Sequence, residues 1–400
     1  AFSFILMVTF VPGLAAPATT PRWALLAAVV PAVAIFTPCR RFTVAHGLGA
    51  LLLGWAALSL FWTPNGWDGL RIIAELAIFA ALFHIGAALP SLRPVYIGAA
   101  LGLSVSSLLA VMQVLGLELV DRIPGPTGQA AGLFMNRNYL AAPAALVLIG
   151  LIGHRLWWAL PLVLPSVLPV AVMMPWNYGE SVRDLLALPM SRGAVLGLLA
   201  AGMLWLWPRS RAAVVSLCIA ASAALFLLMG PSTSSRFVIW ASTLDGMTWL
   251  GNGIGSFYTL FPSHAPAWDF LGTTRPVHAH NDWLEFAYEL GPLAGICLLG
   301  TLIMLAAMRG PEPERFILIA LITEAAFGFP WHFAATVFLG GLVAGQLCVA
   351  GSALCGVFDR GRAALRAGSR RVAAYLDSRP QRSHRRFGLS AGSSPPEGIG

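Results

Sequence analysis

The chain lacks lysine altogether, and charge of either sign is scarce. All 25 basic residues among its 400 are arginine, and only 10% of the residues are charged whereas 58% are hydrophobic. A soluble domain carries about 25% charged residues, because polar groups must cover its surface. With so few charges much of the surface must face lipid, so we expect an integral membrane protein rather than a soluble globular domain.

Cysteine pairs are also missing. The five cysteines stand far apart, and no two of them form a CxxC motif. The outward loops described below contain no DxD motif or other cluster of carboxylates. The sequence therefore predicts no disulfide framework, and we expect neither a metal nor another cofactor.

The positive charge is concentrated at the C-terminal end. Residues 359–400 contain nine arginines against Asp359, Asp377 and Glu397. A basic tail beside a membrane indicates contact with anionic lipids of the cytoplasmic leaflet rather than with nucleic acid. We expect this tail to be cytoplasmic and partly disordered. Its segment 360–376 is either a basic amphipathic helix on the lipid surface or a solvated chain.

Apolar runs recur along residues 1–358, where the sequence predicts an all-α transmembrane domain of about 12 helices. The chain starts at Ala1 inside such a run, without a methionine, and we interpret this as a truncated start within the first span. The predicted spans are 1–16, 23–37, 48–62, 72–89, 95–116, 139–153, 157–176, 193–207, 212–230, 284–308, 316–329 and 333–357.

The arginines predict the orientation of these spans. Arginines in the predicted connections fall on every second loop, and the positive-inside rule places those loops and both termini in the cytoplasm. The remaining loops then face outward, and the longest of them, 231–283, is expected to form a periplasmic loop region. The outward loops are 63–71, 117–138, 177–192, 231–283 and 330–332.

Four arginines fall on the outward side, which the positive-inside rule normally depletes of positive charge. They are Arg137, Arg192, Arg236 and Arg275. Guanidinium groups match phosphate oxygens bidentately, so these residues are candidate ligands for a lipid-linked diphosphate. They can also stabilise the charge that develops as the diphosphate leaves a sugar carbon. Snorkelling or ion-paired surface arginines are the alternative.

His280 precedes a predicted span, where a neutral imidazole can accept a proton from an attacking hydroxyl. His278, two residues earlier, is an alternative base. Asn281 is expected to cap the following helix. Glu289 is expected to face the bundle interior, where it has a catalytic role or binds a backbone amide or an arginine. His332 is expected to be structural.

Four segments resemble the motifs of the O-antigen ligase and polymerase superfamily, and they occur in the same order. FMNRNYLA at 134–141 contains Asn136 and Asn138, SRG stands at 191–193, RFVIW at 236–240 precedes GNGIGSF, and HNDWLEFAYELGPLAG spans 280–295. The resemblance covers most of the chain from residue 132 to about residue 345. The first four predicted spans and the tail rest on hydropathy alone.

This resemblance implies a GT-C-like membrane glycosyltransferase that needs no metal and inverts the anomeric centre. It would move a glycan from undecaprenyl diphosphate to an acceptor hydroxyl on the periplasmic face of the bacterial inner membrane. In the ligase branch, which we expect here, the acceptor is the lipid A core. The alternatives are an O-antigen or exopolysaccharide polymerase of the same superfamily, and a polysaccharide or small-solute transporter. A transporter would carry polar residues near the middle of several spans, whereas here the charges gather at one interface.

Positions in the motifs assign the main roles. Arg192 and Arg236 would bind the diphosphate, and His280 would activate or orient the acceptor hydroxyl. A second group of candidate ligands for the diphosphate or glycan is not fixed by the motifs. It consists of Arg137, Arg275, His278, Asn136, Asn138, Asn281 and Glu289.

Overall fold

The computed structural model describes residues 1–351 apart from gaps at 13, 15, 39–41, 115–116, 118, 120–130, 168–191, 217, 219–230, 266–275 and 309. It is 77% helical, with no strand among the described residues, so the predicted all-α class is confirmed. Several sequence predictions lie outside the described residues. These are the tail at 359–400, Arg275, and most of the predicted span at 212–230 and of the loop at 177–192.

The helices with defined bounds are α1 (Phe2–Val8), α2 (Thr20–Phe36), α3 (Val44–Ser59), α4 (Gly66–Ala88), α5 (Arg93–Val114), α6 (Arg137–Gly153), α7 (Leu160–Val167), α8 (Arg192–Leu206), α9 (Pro231–Asp245), α10 (Phe257–His264), α11 (Asp282–Leu290), α12 (Pro292–Ala307), α13 (Glu312–Ala325) and α14 (Ala334–Gly351). Short 3-10 turns at Gly132–Phe134, Trp157–Ala159 and Pro330–His332 precede α6, α7 and α14. Helix starts follow local chemistry. Asn65, for example, accepts a hydrogen bond from the backbone N–H of Asp68 at 3.2 Å and so caps α4.

Among the described residues, two helices are long and apolar enough to cross a membrane. They are α4, with 23 residues, and the first 21 residues of α5. At 1.5 Å per residue α4 is about 34 Å long, compared with a hydrocarbon core of about 30 Å. The other apolar helices are shorter than these two. Helix length and composition therefore support two membrane-capable helices and do not establish about 12 spans.

Three segments differ from the sequence prediction. In the run 1–16, predicted as a span, α1 covers only Phe2–Val8, and the other described residues are not helical. The run 284–308, predicted as one span, is divided into α11 and α12 at Gly291, where φ is +92°. An L-residue rarely adopts this backbone angle, and Pro292 then begins a new helix. The outward segment 231–283, predicted as a loop, contains α9 and α10. Polar and glycine residues in that segment obscured both helices in the hydropathy pattern.

Several helices meet at the end of the bundle that carries residues 278–282, here called the site end. Trp23, in the first turn of α2, donates its indole N–H to the carbonyl of His332 at 3.2 Å. The ring of Tyr139, in the first turn of α6, lies 4.0 Å from that of Phe333, which immediately precedes α14. The starts of three helices are thus gathered around one short turn.

The opposite end of the bundle holds the other helix termini. Nε2 of His154, which follows α6, lies 3.0 Å from a carboxylate oxygen of Glu314 in the first turn of α13. Nε2 of His84, near the end of α4, lies 3.0 Å from the carbonyl oxygen of Thr37, which follows α2. These contacts fix α2, α4 and α6 as parallel to one another and α13 as antiparallel to them.

Glycines allow α4 and α14 to pack with their backbones in contact. A Cβ atom built on Gly86 of α4 would overlap the carbonyl oxygen of Leu342 and lie 2.7 Å from its Cα. A Cβ on Gly341 would lie 2.7 Å from the Cβ of Leu82. Close packing of these two helices matters for the site because Phe333 and the preceding 3-10 turn lead directly into α14.

We expect Gly86→Ala to destabilise the fold, because the added methyl group must displace backbone atoms of α14 rather than a flexible side chain. The cost should be on the order of 1–3 kcal/mol, measured as a lower midpoint of thermal unfolding of the purified protein. Gly54→Ala is the matched control, because Gly54 also lies inside a helix but has open space around its Cβ position. An equal effect of both substitutions would contradict the close approach of α4 and α14.

Candidate active site

Residues 278–282 form the centre of the site, and α11 begins from them. The side chain of Asn281 accepts a hydrogen bond from the backbone N–H of Leu284 at 3.1 Å, so its predicted role as the cap of α11 is confirmed. Asp282 is fully buried, and its carboxylate accepts a hydrogen bond from the backbone N–H of Trp331 at 3.0 Å. The start of α11 is thereby attached to the 3-10 turn Pro330–His332.

His280 has an unusual backbone conformation. Its φ is +54°, in the left-handed region that residues with a Cβ rarely occupy. Such a conformation persists only where the surroundings fix it, and it is typical of functional sites. The residue before it is held at both backbone groups. The N–H of Ala279 donates to Glu285 at 2.7 Å, and its carbonyl accepts from the indole N–H of Trp240 at 2.9 Å.

Glu285, in the first turn of α11, is the centre of a buried polar cluster. His278 donates through Nδ1 to one carboxylate oxygen of Glu285 at 2.9 Å, and Nε2 of His332 lies 3.3 Å from the same oxygen. The imidazole rings of His278 and His332 stand 4.0 Å apart. His332, which the sequence suggested to be structural, therefore belongs to the hydrogen-bonded surroundings of His280.

Arg236 approaches the same region from α9. Its guanidinium donates to the carbonyl of Phe327 at 2.9 Å, and the ring of His280 lies 5.0 Å from that of Phe329. Burial, reinforced by the charges of Arg236 and His278, lowers the pKa of His280 to about 4, while Glu285 acts in the opposite direction. The imidazole is therefore neutral at pH 7, as the sequence analysis expected of a proton acceptor.

The segment 134–141 reaches the site at the start of α6. Asn136 caps this helix by accepting from the backbone N–H of Asn138 at 2.8 Å, and Arg137 is the first helical residue. The ring of Tyr139, one position further, lies 6.1 Å from that of Phe329. The predicted candidates Asn136, Arg137 and Asn138 thus lie beside the His280 region, and the side chain of Asn136 has a structural role there.

Arg192 is the first residue of α8, and its side chain lies outside the described residues. The next residue, Gly193, packs on α13, where an added Cβ would lie 3.2 Å from Cγ of Glu324. Glu324 is three residues before Phe327, to which Arg236 is bound. The backbone of α8 therefore begins close to the segment that Arg236 and His280 contact.

Glu289 is directed elsewhere. It is 3% exposed, and its carboxylate accepts from the backbone N–H of Phe257 at 3.0 Å. The backbone carbonyl of Glu289 also accepts from Gly253 at 2.9 Å. The expectations that Glu289 faces the interior and binds a backbone amide are confirmed. It holds the glycine-rich turn 251–257 against α11 and does not adjoin His280.

The sequence analysis missed a group of charges on α4. Arg71 lies 3.4 Å from Glu75 and 3.6 Å from Asp68, and it acts electrostatically on His332 and Glu289. His278, in turn, acts electrostatically on Glu75. The i, i+3 and i, i+4 spacing of these charges was visible in the sequence. However, α4 lies in the part of the chain that was interpreted from hydropathy alone.

One group of described residues has the composition of a metal site. The ligand atoms of His278, Glu285 and His332 lie within 4.8 Å of one another. Ligand atoms around a tetrahedral zinc ion lie roughly 3.3 Å apart, given bond lengths of about 2.0–2.2 Å. The 2.9 Å separation between His278 and Glu285 is shorter and matches a hydrogen bond. The geometry therefore favours a hydrogen-bonded cluster.

The arrangement combines a neutral imidazole, a guanidinium group and aromatic rings at one end of a helical bundle. It suits a reaction in which a hydroxyl loses a proton while an anionic group departs. Comparison of the chain with protein-family models and with curated proteins found no match.

We expect the imidazole of His280 to titrate well below the usual histidine pKa of about 6.5. Arg236→Gln should raise the pKa of His280 toward that value, because the substitution removes a nearby positive charge. Both quantities can be measured by NMR titration of histidine-labelled protein, with His280→Gln used to assign the signal. A His280 signal that titrates near pH 6.5 in the unmodified protein, or that is insensitive to Arg236→Gln, would contradict this electrostatic environment.

Proposed function

We propose that this chain is a membrane glycosyltransferase of the O-antigen ligase type, which transfers a glycan from undecaprenyl diphosphate to an acceptor hydroxyl such as that of the lipid A core. The observation that carries the proposal is the convergence of Arg236 and a neutral His280 on the segment 327–329. The resemblance of four sequence segments to the superfamily motifs supports it, because three of those segments adjoin this region and the fourth, SRG, begins α8 close to it.

The chemistry needs few groups. The acceptor hydroxyl attacks the anomeric carbon of the donor sugar, the bond from that carbon to the diphosphate oxygen breaks, and a glycosidic bond forms on the opposite face. His280, which is unprotonated at neutral pH, accepts the hydroxyl proton. Arg236 stabilises the negative charge on the departing diphosphate, as fixed donors do at developing anions. By its position at the start of α8, Arg192 is a second guanidinium for the same diphosphate.

The ring of Phe329 lies 5.0 Å from that of His280, and the ring of Tyr139 lies 6.1 Å from that of Phe329. Trp240 contributes its indole N–H to Ala279, and its ring lies 6.2 Å from that of Phe327. Aromatic faces provide an apolar wall on which a sugar ring or a prenyl chain can pack while a few polar groups fix the orientation. The local composition therefore fits a substrate that is part lipid, part anion and part carbohydrate.

The surface supports insertion in a membrane. Large aromatic side chains are exposed at both ends of the bundle, as in the aromatic belts of membrane proteins. They include Phe61 (88% exposed), Trp67 (85%) and Trp249 (89%) at the site end, and Phe36 (86%), Trp157 (58%) and Trp158 (57%) at the opposite end.

The arginines support an orientation with the site end outward. At the opposite end, where the positive-inside rule expects them, Arg93 begins α5, and Arg155 and Arg209 lie in connections. At the site end, Arg22 is 2% exposed and bound to backbone carbonyls, and Arg71 is ion-paired. The proposed location is thus the bacterial inner membrane, with the site facing the periplasm and the tail interacting with cytoplasmic lipids.

We expect His280→Ala and Arg236→Ala each to reduce transfer by at least about 100-fold, the usual loss when a general base or a charge-stabilising donor is removed. The measurement is glycan transfer from an undecaprenyl diphosphate donor to lipid A core by purified protein in detergent or liposomes. Matched controls are His84→Ala and Arg315→Ala. Both are partly buried at the opposite end, and each side chain hydrogen-bonds to a backbone carbonyl.

The outcomes separate the alternatives. Normal transfer by either site variant would overturn the assigned roles, and strict dependence on a divalent ion after chelation would overturn the metal-free mechanism. In cells that lack the gene, a ligase predicts long polymers that remain on the carrier lipid, whereas a polymerase predicts single repeat units. Movement of the glycan across the bilayer without formation of a new glycosidic bond would identify a transporter instead.

The proposed orientation predicts the labelling of two engineered cysteines. In a variant without the native cysteines, Ser263→Cys at the exposed end of α10 should react with a membrane-impermeant maleimide added to intact spheroplasts. Ser91→Cys, exposed in the connection between α4 and α5, should react only after lysis. Labelling in the reverse order would place the site in the cytoplasm, and equal labelling before lysis would exclude a membrane barrier between them.

A further inference from the structure

We infer that Glu285 is a positioning residue for the reaction, which holds His280 in its working conformation through the backbone of Ala279 and the side chain of His278. This inference rests on the proposed function, because it concerns the same site. The sequence analysis selected Glu289 as a candidate and assigned no role to Glu285. The structure separates the two carboxylates, since Glu285 binds the 278–280 segment and Glu289 binds the glycine-rich turn.

Both carboxylate oxygens of Glu285 accept hydrogen bonds from the segment 278–280. One oxygen accepts from the backbone N–H of Ala279 at 2.7 Å, and the other accepts from Nδ1 of His278 at 2.9 Å. The carboxylate is only 4% exposed, so water does not compete effectively for these bonds. Hydrogen bonds to a charged acceptor are also shorter and stronger than those between neutral groups.

The two hydrogen bonds that Glu285 accepts from Ala279 and His278 are here called the clamp. They are needed because of the backbone conformation of His280. A residue with φ of +54° is strained, and it relaxes unless its neighbours are fixed. Ala279 before it is bound through its N–H to Glu285 and through its carbonyl to Trp240, and Asn281 after it caps α11. The side chains of Glu285, Trp240 and the cap Asn281 therefore determine where the imidazole points.

A carboxylate suits this position better than an amide does. Glutamine has the same shape but only one acceptor oxygen, and its NH2 group would face either the N–H of Ala279 or Nδ1–H of His278. Glu285→Gln therefore removes the charged acceptor. It also introduces a contact between two donors or forces His278 into its other tautomer, without changing the packed volume. Arg236 is bound to Phe327, on a different segment, and should still hold the donor diphosphate.

Loss of the clamp should consequently lower kcat and leave binding nearly intact. For Glu285→Gln we expect kcat to fall about 100-fold, the effect of a small misplacement of a catalytic group, with KM for the lipid diphosphate donor within about threefold of its original value. Glu314→Gln is the matched control. Glu314 is also a buried glutamate within hydrogen-bond distance of a histidine, but it lies at the opposite end of the bundle.

Trp240→Phe provides a second, independent variant. It keeps an aromatic ring of smaller size and removes the donor to the carbonyl of Ala279, so it should show the same fall in kcat. If Glu285→Gln does not fold, the kcat of Trp240→Phe tests the positioning role instead. Values of kcat within threefold of the original in a folded variant, or a loss expressed mainly in KM, would overturn the positioning role.

The NMR signal of His280 separates this inference from the proposed function. If the unmodified protein transfers no glycan, the proposed function fails, and the clamp is judged by the His280 resonance alone. A shifted or broadened His280 signal in Glu285→Gln, with an unchanged signal in Glu314→Gln, supports the clamp. An unchanged signal in both variants overturns it.

Discussion

Two buried carboxylates at the start of α11 organise this protein. Asp282 and Glu285 lie in the first turn of the helix, where backbone N–H groups and the helix dipole favour acidic side chains. Burial and the charge of Glu285 nevertheless raise the pKa of Asp282. A buried carboxylate must find donors, and these two find them on separate parts of the chain. Asp282 takes the N–H of Trp331, and Glu285 takes Ala279 and His278. The conformation of His280 and the position of the 3-10 turn before α14 both depend on these bonds.

Short elements carry the chemistry, and long helices support them. His280, Glu285 and His332 belong to a tight segment, a nine-residue helix and a three-residue turn. Such elements could not hold a strained backbone alone, because they bury little apolar surface. The packing of α4 on α14 through glycines, and the bonds from Trp23 and Trp283 to backbone carbonyls, provide the rigid frame.

Much of the local structure could be predicted from the sequence, because caps and buried charges follow short-range rules. Asn281 was recognisable as a cap, and the cost of exposing Glu289 to lipid indicated that it faces inward. The cap at Asn136 was missed, because that residue was considered only as a candidate ligand. The contacts of Glu285 with His278 and of Arg71 with the histidine cluster could not be predicted in this way. They depend on how α4, α11 and the 3-10 turn are packed together, and helix periodicity contains no information about such distant pairs. The break at Gly291 was missed for a related reason, since a glycine–proline pair in an apolar run does not by itself reveal a positive φ.

The spacing within α11 has a consequence for how the chain can change in evolution. Glu285 and Glu289 are one helical turn apart on the same face, and each is attached to a different segment, the first to residues 278–279 and the second to the turn before α10. Inserting or deleting one residue between them would rotate one anchor by about 100° relative to the other. Neither segment could then follow without breaking its bonds. The length of this helix should therefore be invariant among related chains, whereas the connections at the opposite end are free to lengthen.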